Sequence, residues 1–251
     1  IDLYAGGSSP GVAKLSNAPI RLGFDHKKKF KKSYNLFVKT PDYCRQWIKD
    51  FALLLSPLGI MEDEVRVGTS FNYTQDDKNA VNGHLDKNKK YFCINLATSD
   101  AAKCWPVEKY LQLAQYIYNQ YGLIPVVLTN PGQEKLAGRF VSLWRNEFVN
   151  PPVLPLGQVG ALIDLCEYMI TGDTSLMHMS FGLKKPTLVL FTYTRPEWHI
   201  VEDCTLEYCF SENLKSENWR CGKPWGGKKI SLNDAISKFD RLVLRTIEKY
   251  N

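Results

Sequence analysis

Apolar residues fall at helical intervals in the first third of the chain, where Tyr43, Trp47, Ile48, Phe51, Leu54 and Leu55 share one face. Thr40 supplies an N-cap, Pro41 takes the first helical position and Pro57 to Gly59 stops the run, so the spacing predicts one amphipathic helix. From Phe71 to Lys90 the chain is polar, rich in Asn, Asp and Lys, and reads as a linker between domains. Beyond it the pattern alternates. Short apolar runs at 91–97, 123–129, 168–171 and 187–191 predict strands, and periodic segments at 106–121, 133–148, 157–166 and 177–182 predict helices. Strands that are apolar throughout and alternate with helices predict a parallel sheet covered on both faces, hence an α/β fold. A last amphipathic helix is expected over 231–250, with Ser231 and Asp234 as a capping pair and Leu232, Ile236, Phe239, Val243 and Ile247 turned inward. Ile1 to Gly7 reads as a strand running into a glycine turn, so the chain is expected to begin inside a domain.

Composition narrows the class. With 251 residues, 44% hydrophobic and 23% charged, the chain can bury one large core or two modest ones, which argues against disorder. No apolar run approaches the ~18 residues of a membrane span, so a membrane-integral protein is not expected. Seven Cys without C-x-x-C pairing read as reduced thiols of a cytoplasmic protein, and Cys204, Cys209 and Cys221 with His199 fit no common zinc spacing. The net charge of +6 and a pI near 8.8 make an anionic partner plausible. Part of the excess is the run Lys27-Lys28-Lys29-Phe30-Lys31-Lys32, which suits phosphate-bearing lipid headgroups and equally suits a solvated loop. No RNA-binding aromatic motif accompanies it, and no nucleic-acid partner is expected.

In a doubly wound sheet, ligands sit outside the carboxyl ends of the strands, so the chemistry is sought in the loops leaving them. The loop Thr98 to Pro106 gathers Thr98, Ser99 and Lys103 before a helix, a sound place for a phosphate. A charge-assisted bond from Lys103 contributes ~1.5–3 kcal/mol against ~0.3–1 from the helix dipole, so Lys103 is expected to dominate a phosphate site here. The same residues also suit a plain helix start with a solvent-facing Lys. After the next strand, Glu134 can accept from the hydroxyls of a ribose, or can simply complement its helix dipole. The turn Gly172-Asp173-Thr174-Ser175, with His178, clusters polar groups where backbone amides can surround an anion. A structural alternative makes Asp173 the helix N-cap and His178 a core residue. In the fourth loop, Thr192 and Thr194 are placed to reach a phosphate or sugar hydroxyl and Tyr193 and Trp198 offer flat faces, though surface packing explains them too.

Taken together, Lys-Cys-Trp-Pro at 103–106, Thr-Gly-Asp-Thr-Ser-Leu-Met-His at 171–178 and Lys-Lys-Pro-Thr-Leu-Val-Leu-Phe-Thr-Tyr-Thr at 184–194 resemble glycosyltransferase family nine. Its best-known members are the ADP-heptose:lipopolysaccharide heptosyltransferases. The likeness extends weakly to Ile1-Asp2-Leu3 and Ile20 to Phe24, which look like later strands of the family's amino-terminal domain.

The resemblance implies a GT-B architecture of two Rossmann-like domains with parallel sheets, the first incomplete. It implies an acceptor-side domain over 1–87, a nucleotide-sugar domain over 88–230 and a helix over 231–251 packing back toward the first domain. By that likeness Thr98, Ser99 and Lys103 contact the donor phosphates, Glu134 the ribose, and Asp173, Thr174 and His178 the diphosphate side of the sugar. Gly172, Ser175 and Thr192 complete the expected donor site. The implied activity is metal-independent, inverting transfer of heptose from ADP-heptose to a lipopolysaccharide inner-core hydroxyl at the cytoplasmic face of the inner membrane, with no cofactor and with Lys27 to Lys32 facing the anionic acceptor. Two departures stand out. Ser175-Leu176 replaces the family's usual Gly-Pro, and the family's catalytic carboxylate is expected upstream of Ile1 and not at Asp2, so the chain as given is expected to bind donor and to lack the base. Rival readings are another GT-B enzyme, such as an epimerase or a uridine-donor transferase, and a nucleotide-sugar-binding domain without activity.

Overall fold

A computed structural model describes residues 1–3, 7–25, 32–39, 47–65, 68–98, 104–192, 194–200, 205–210 and 230–250. Backbone contacts divide the chain into two units, Ile1–Gly68 with Glu197–Ile200, and Thr69–Pro196 with Val201–Asn251.

In the smaller unit, helix α1 (Ser9–Leu15) precedes strand β1 (Leu22–Phe24), which pairs in parallel with β2 (Leu36–Val38). Leu22, Phe24, Val38 and Leu54 form its core, with Leu36 and Leu53 packed against them. The described part of the expected first strand is irregular. Asp2 instead donates its backbone N–H to the Leu22 carbonyl, and its carboxylate accepts from the Tyr34 hydroxyl at 2.5 Å. Helix α2 spans Trp47–Leu53, followed by a 3-10 turn at Ser56–Leu58 that Gly59 ends with φ of 81°. The expected cap at Thr40 and Pro41, and the basic residues Lys27 to Lys31, lie outside the described residues.

The larger unit is built on five parallel strands: β3 (Tyr91–Asn95), β4 (Ile124–Leu128), β5 (Tyr168–Gly172), β6 (Thr187–Phe191) and β7 (Leu206–Phe210). Their spatial order is β4-β3-β5-β6-β7. Every residue of β3, β4, β5 and β6 is buried, as the apolar runs require of strands covered on both sides. The period of two sorts their side chains into two cores. Phe92, Ile94, Val127 and Ile170 face one way, toward helices α4 (Val107–Tyr121), α5 (Glu134–Leu143) and α8 (Leu232–Tyr250). Tyr91, Cys93, Val126 and Met169 face the other way, toward α3 (Gln75–Val81), α6 (Leu156–Asp164) and α7 (Ser175–Gly182). Each fully buried Phe, Ile or Leu contributes about 1.5–3 kcal/mol, so these two layers supply most of the stability of the unit.

The stretch read as a linker differs from its expectation. Residues 69–87, assigned by sequence to the first domain, group with the larger unit, and α3 packs on α6. Its helix is polar apart from Val81, which is why periodicity misses it; the local signal is the capping box in which Thr74 and Asp77 bond each other's backbone amides. The contact is close. A β-carbon on Gly182 at the end of α7 would lie 2.6 Å from the Phe71 nitrogen, so only glycine admits this segment.

Helix α8 begins as expected, with the Ser231 hydroxyl accepting from the Asp234 amide. Within the larger unit it packs on β6, β7 and α4. Asp240 accepts from the Tyr116 and Tyr121 hydroxyls, and Glu207 on β7, nearly buried, pairs with Lys238 and Arg245. Strand β7, interrupted by that glutamate, was not expected from sequence. Among the described residues no helix is long and apolar enough to cross a membrane.

Candidate functional site

The strand order sets the site. The winding of the sheet reverses at β3: β4 is added on one side of it, and β5 lies on the other. Loops leaving β3 and β5 therefore part from each other and open a crevice beyond their carboxyl ends, where α/β sheets bind ligands. A cavity of about 650 Å³ occupies this place. Thr98, Asp173, Thr174 and Ser175, from the ends of β3 and β5, form a polar wall; Thr129, Asn130 and Gln133 line the cavity after β4, and Leu128, Pro152, Leu154, Pro155, Leu156 and Val159 form an apolar wall. Leu156, in this lining, is 63% exposed.

Of the residues expected from sequence, Thr98, Asp173, Thr174 and Ser175 are brought together on the polar wall. Gly172 lies directly behind it. A β-carbon there would meet the Thr98 Cγ2 at 3.3 Å, so the absence of a side chain lets the two loop bases approach. Ser99 and Lys103 lie outside the described residues, as does Tyr193. Glu134, His178 and Thr192 are not among the lining residues. Glu134 is exposed, and its Oε1 accepts the Gly132 amide at 2.9 Å. Bonds from its own amide and that of Gly132 hold its carboxyl below the usual carboxylate pKa. His178 is exposed as a residue, yet desolvation of its ring lowers its pKa, with the Asp173 charge opposing that shift. Thr192 is buried.

The proposed N-cap role of Asp173 is not what the fold uses. Thr174 holds the N-cap position of α7, and its hydroxyl makes no bond to the helix amides. Asp173 is held from the neighbouring loop, its Oδ2 accepting from the Thr194 hydroxyl at 2.6 Å. Trp105, in the Lys-Cys-Trp-Pro motif, has a packing role: it is 1% exposed and donates its indole N–H to the Ile230 carbonyl at 3.1 Å, tying the start of α4 to the start of α8. Pro106, expected as the first helical residue, precedes α4 at its N-cap.

Sequence reading missed two polar residues, Asn95 beneath the site and Gln133 in its lining. Asn95 ends β3 fully buried, its Nδ2 lying 3.1 Å from the Thr171 hydroxyl and 3.3 Å from that of Thr174. Gln133 donates from Nε2 to the Thr98 carbonyl at 2.5 Å, joining the loops that follow β3 and β4. A signal for the first was present, since an asparagine closing the apolar run Tyr91 to Ile94 is costly to bury without a structural task. The apolar wall also had a mark in the sequence, the Pro151-Pro152-Val153-Leu154-Pro155 segment before α6.

With this geometry in hand, the comparisons define the class. The family model for glycosyltransferase family 9 (heptosyltransferase) matches residues 7–201, and the chain belongs to that family of glycosyltransferases. Among solved structures, a family 9 glycosyl transferase from Veillonella parvula is similar at 19% identity with a TM-score of 0.81, covering 98% of this chain and 73% of that one. The ADP-heptose LPS heptosyltransferase II of E. coli is similar at 16% identity and a TM-score of 0.73, covering 96% of this chain and 75% of that one. E. coli heptosyltransferase WaaC with ADP is similar at 16% identity and a TM-score of 0.67, covering 99% of this chain and 72% of that one. These likenesses establish a GT-B type fold. No curated protein sequence matches significantly.

Proposed function

We propose that this glycosyltransferase takes a heptose from an ADP-heptose donor and delivers it, with inversion, to a hydroxyl of a lipopolysaccharide inner core. The observation that carries the reading is the cavity at the switch point of the sheet, lined by threonines and the start of α7 and by an apolar wall. The apolar wall suits the flat face of a nucleobase, and the polar wall suits a diphosphate. One of the similar structures, E. coli WaaC, holds ADP.

In the proposed transfer the acceptor oxygen attacks the anomeric carbon from the face opposite the diphosphate. The carbon–oxygen bond to the phosphate breaks, ADP departs with the bonding pair, and the acceptor proton passes to a general base. None of the residues assigned here is given that last role. Lys103 would neutralise the departing diphosphate together with the Thr98 and Thr174 hydroxyls, Ser99 and Ser175, so that the reading needs no metal ion or cofactor. Glu134 and His178 would meet the ribose and the sugar side from outside the cavity. The basic run Lys27 to Lys32 would attract the phosphate-rich acceptor at the membrane surface.

Calorimetry with ADP tests the donor half. The Lys103→Ala variant should bind at least 10-fold more weakly, in line with a charge-assisted bond of about 1.5–3 kcal/mol. Unchanged affinity would falsify the phosphate assignment. The acceptor half is tested with anionic vesicles: replacement of Lys27, Lys28, Lys29 and Lys31 by Gln should abolish binding, and retained binding removes the basic run from the reading.

A further inference from the structure

Asn95 and Thr171 project from the carboxyl ends of adjacent strands toward the same face of the sheet, following the register that pairs Ile94 of β3 with Ile170 of β5. Both are fully buried. Ala97 fixes which end of the Asn95 amide points where. The Ala97 N–H lies 3.4 Å from Oδ1, and the Ala97 carbonyl accepts from Nδ2 at 3.1 Å. A flipped amide would set two donors and two acceptors against each other. The Nδ2 end of Asn95 therefore faces the Thr171 and Thr174 hydroxyls, at 3.1 Å and 3.3 Å, and its N–H not given to Ala97 is available to one or the other.

Counting protons shows what this arrangement permits. The Thr171 hydroxyl can donate to the Gly172 carbonyl at 3.1 Å, and it lies 3.2 Å from the Thr174 hydroxyl. With Thr171 engaged in this way, Thr174 gives its proton to the Thr171 oxygen and accepts from Asn95. When an anion enters the cavity, Thr174 can turn its proton outward. The vacated Thr171 oxygen then takes the N–H of Asn95 that Thr174 released, and Thr171 keeps its own proton on the Gly172 carbonyl. The Thr171 oxygen and the Gly172 carbonyl keep a donor in both arrangements, because the Asn95 amide can serve either hydroxyl. Thr174 lines the cavity and Asn95 does not.

The geometry points to Asn95 as a positioning residue: it makes the Thr174 hydroxyl available as a donor to an anionic ligand, the diphosphate of the nucleotide sugar on the reading given above. The inference rests on that reading and adds a residue outside the motifs that carried it. Asparagine at the end of β3 acts through Thr174 and does not touch ligand.

A double-mutant cycle on the full chain tests this by calorimetry, with ADP and adenosine as probes. Asn95→Leu and Thr174→Val should each weaken ADP about 10-fold, while adenosine, which lacks phosphate, should change less than about twofold. The double variant should bind ADP no more weakly than Thr174→Val alone. Equal losses from Asn95→Leu with and without the Thr174 hydroxyl would overturn the positioning role, since Asn95 would then act on the fold and not through Thr174. Should Asn95→Leu fail to fold, Asn95→Asp takes its place. Its carboxylate keeps the side-chain shape and traps the Thr174 proton, and the same two outcomes decide. Failure of the donor-site reading is separately visible: the unaltered chain would not bind ADP, or Thr174→Val would leave ADP affinity unchanged, and the proposal falls with it.

Discussion

The Thr194 hydroxyl donates to Asp173 Oδ2 at 2.6 Å, so the loop after β6 holds the side chain at the head of the turn after β5. A hydrogen bond to a carboxylate contributes about 1.5–3 kcal/mol where it is shielded, and Thr194 is 7% exposed. Thr194→Val, which keeps the shape, should lower stability by ~1–2 kcal/mol in urea unfolding. It should also weaken ADP several-fold by releasing Asp173 into the cavity. A variant as stable as the original chain would show that the pair contributes nothing net.

Gln133 connects the same wall from the other side, through its 2.5 Å bond to the Thr98 carbonyl. Gln133→Ala leaves that carbonyl without this donor, at a cost of ~1–3 kcal/mol if water does not replace it. Gln133→Glu should be worse, because a carboxylate placed against a carbonyl repels it. The order of ADP affinities by calorimetry is therefore expected to be Gln, then Ala, then Glu. If Glu binds as well as Gln, the contact does not position the loop.

Residues buried on a regular period were the legible part of this chain. The strands over 91–95, 124–128, 168–172 and 187–191 were readable because both faces are covered and, Asn95 excepted, their positions are apolar or small. The loops that carry Thr98 and Asp173 to Ser175 followed from those strands, since strand ends dictate where a crevice opens. What escaped was polar or non-local. Helix α3 shows one buried apolar residue, Val81, and β7 carries Glu207 at its second position, so neither has the apolar period of its class. Asn95 and Gln133 matter through partners 76 and 35 residues away, a relation no local window contains. The same limit hid the packing of Trp105 on Ile230, although the motif containing Trp105 was recognised.

The glycines give a stability prediction with opposite signs at two helical positions. Gly182→Ala in α7 would set a β-carbon 2.6 Å from the Phe71 nitrogen, and backbone cannot yield as a side chain can. A loss of about 2–3 kcal/mol is expected, with the 69–81 segment displaced. Gly138→Ala in α5 meets nothing within 4 Å and replaces a poor helix former by the best one, so a gain of ~0.5–1 kcal/mol is expected. Thermal unfolding of the two variants checks both; a neutral Gly182→Ala would mean that the segment does not seat against α7.

The last prediction concerns pH. Tyr73 donates to Asp164 Oδ2 at 2.6 Å, joining the chain before α3 to the end of α6. That bond first, and burial second, push the phenol up to about 12 from its ordinary 10.0. A phenol that ionises less readily in the folded chain stabilises it fully below its unfolded pKa. The contribution shrinks as pH rises from about 10 and is gone once the folded phenol itself ionises near 12. Tyr73→Phe removes both the bond and the titration. At pH 7 it should cost ~1 kcal/mol. The gap between the two proteins should stay constant up to about pH 9 and close toward pH 12, measured as urea midpoints across that range. A gap that persists undiminished at pH 12 would show that packing of the Tyr73 ring edge, and not its hydrogen bond to Asp164, accounts for the difference.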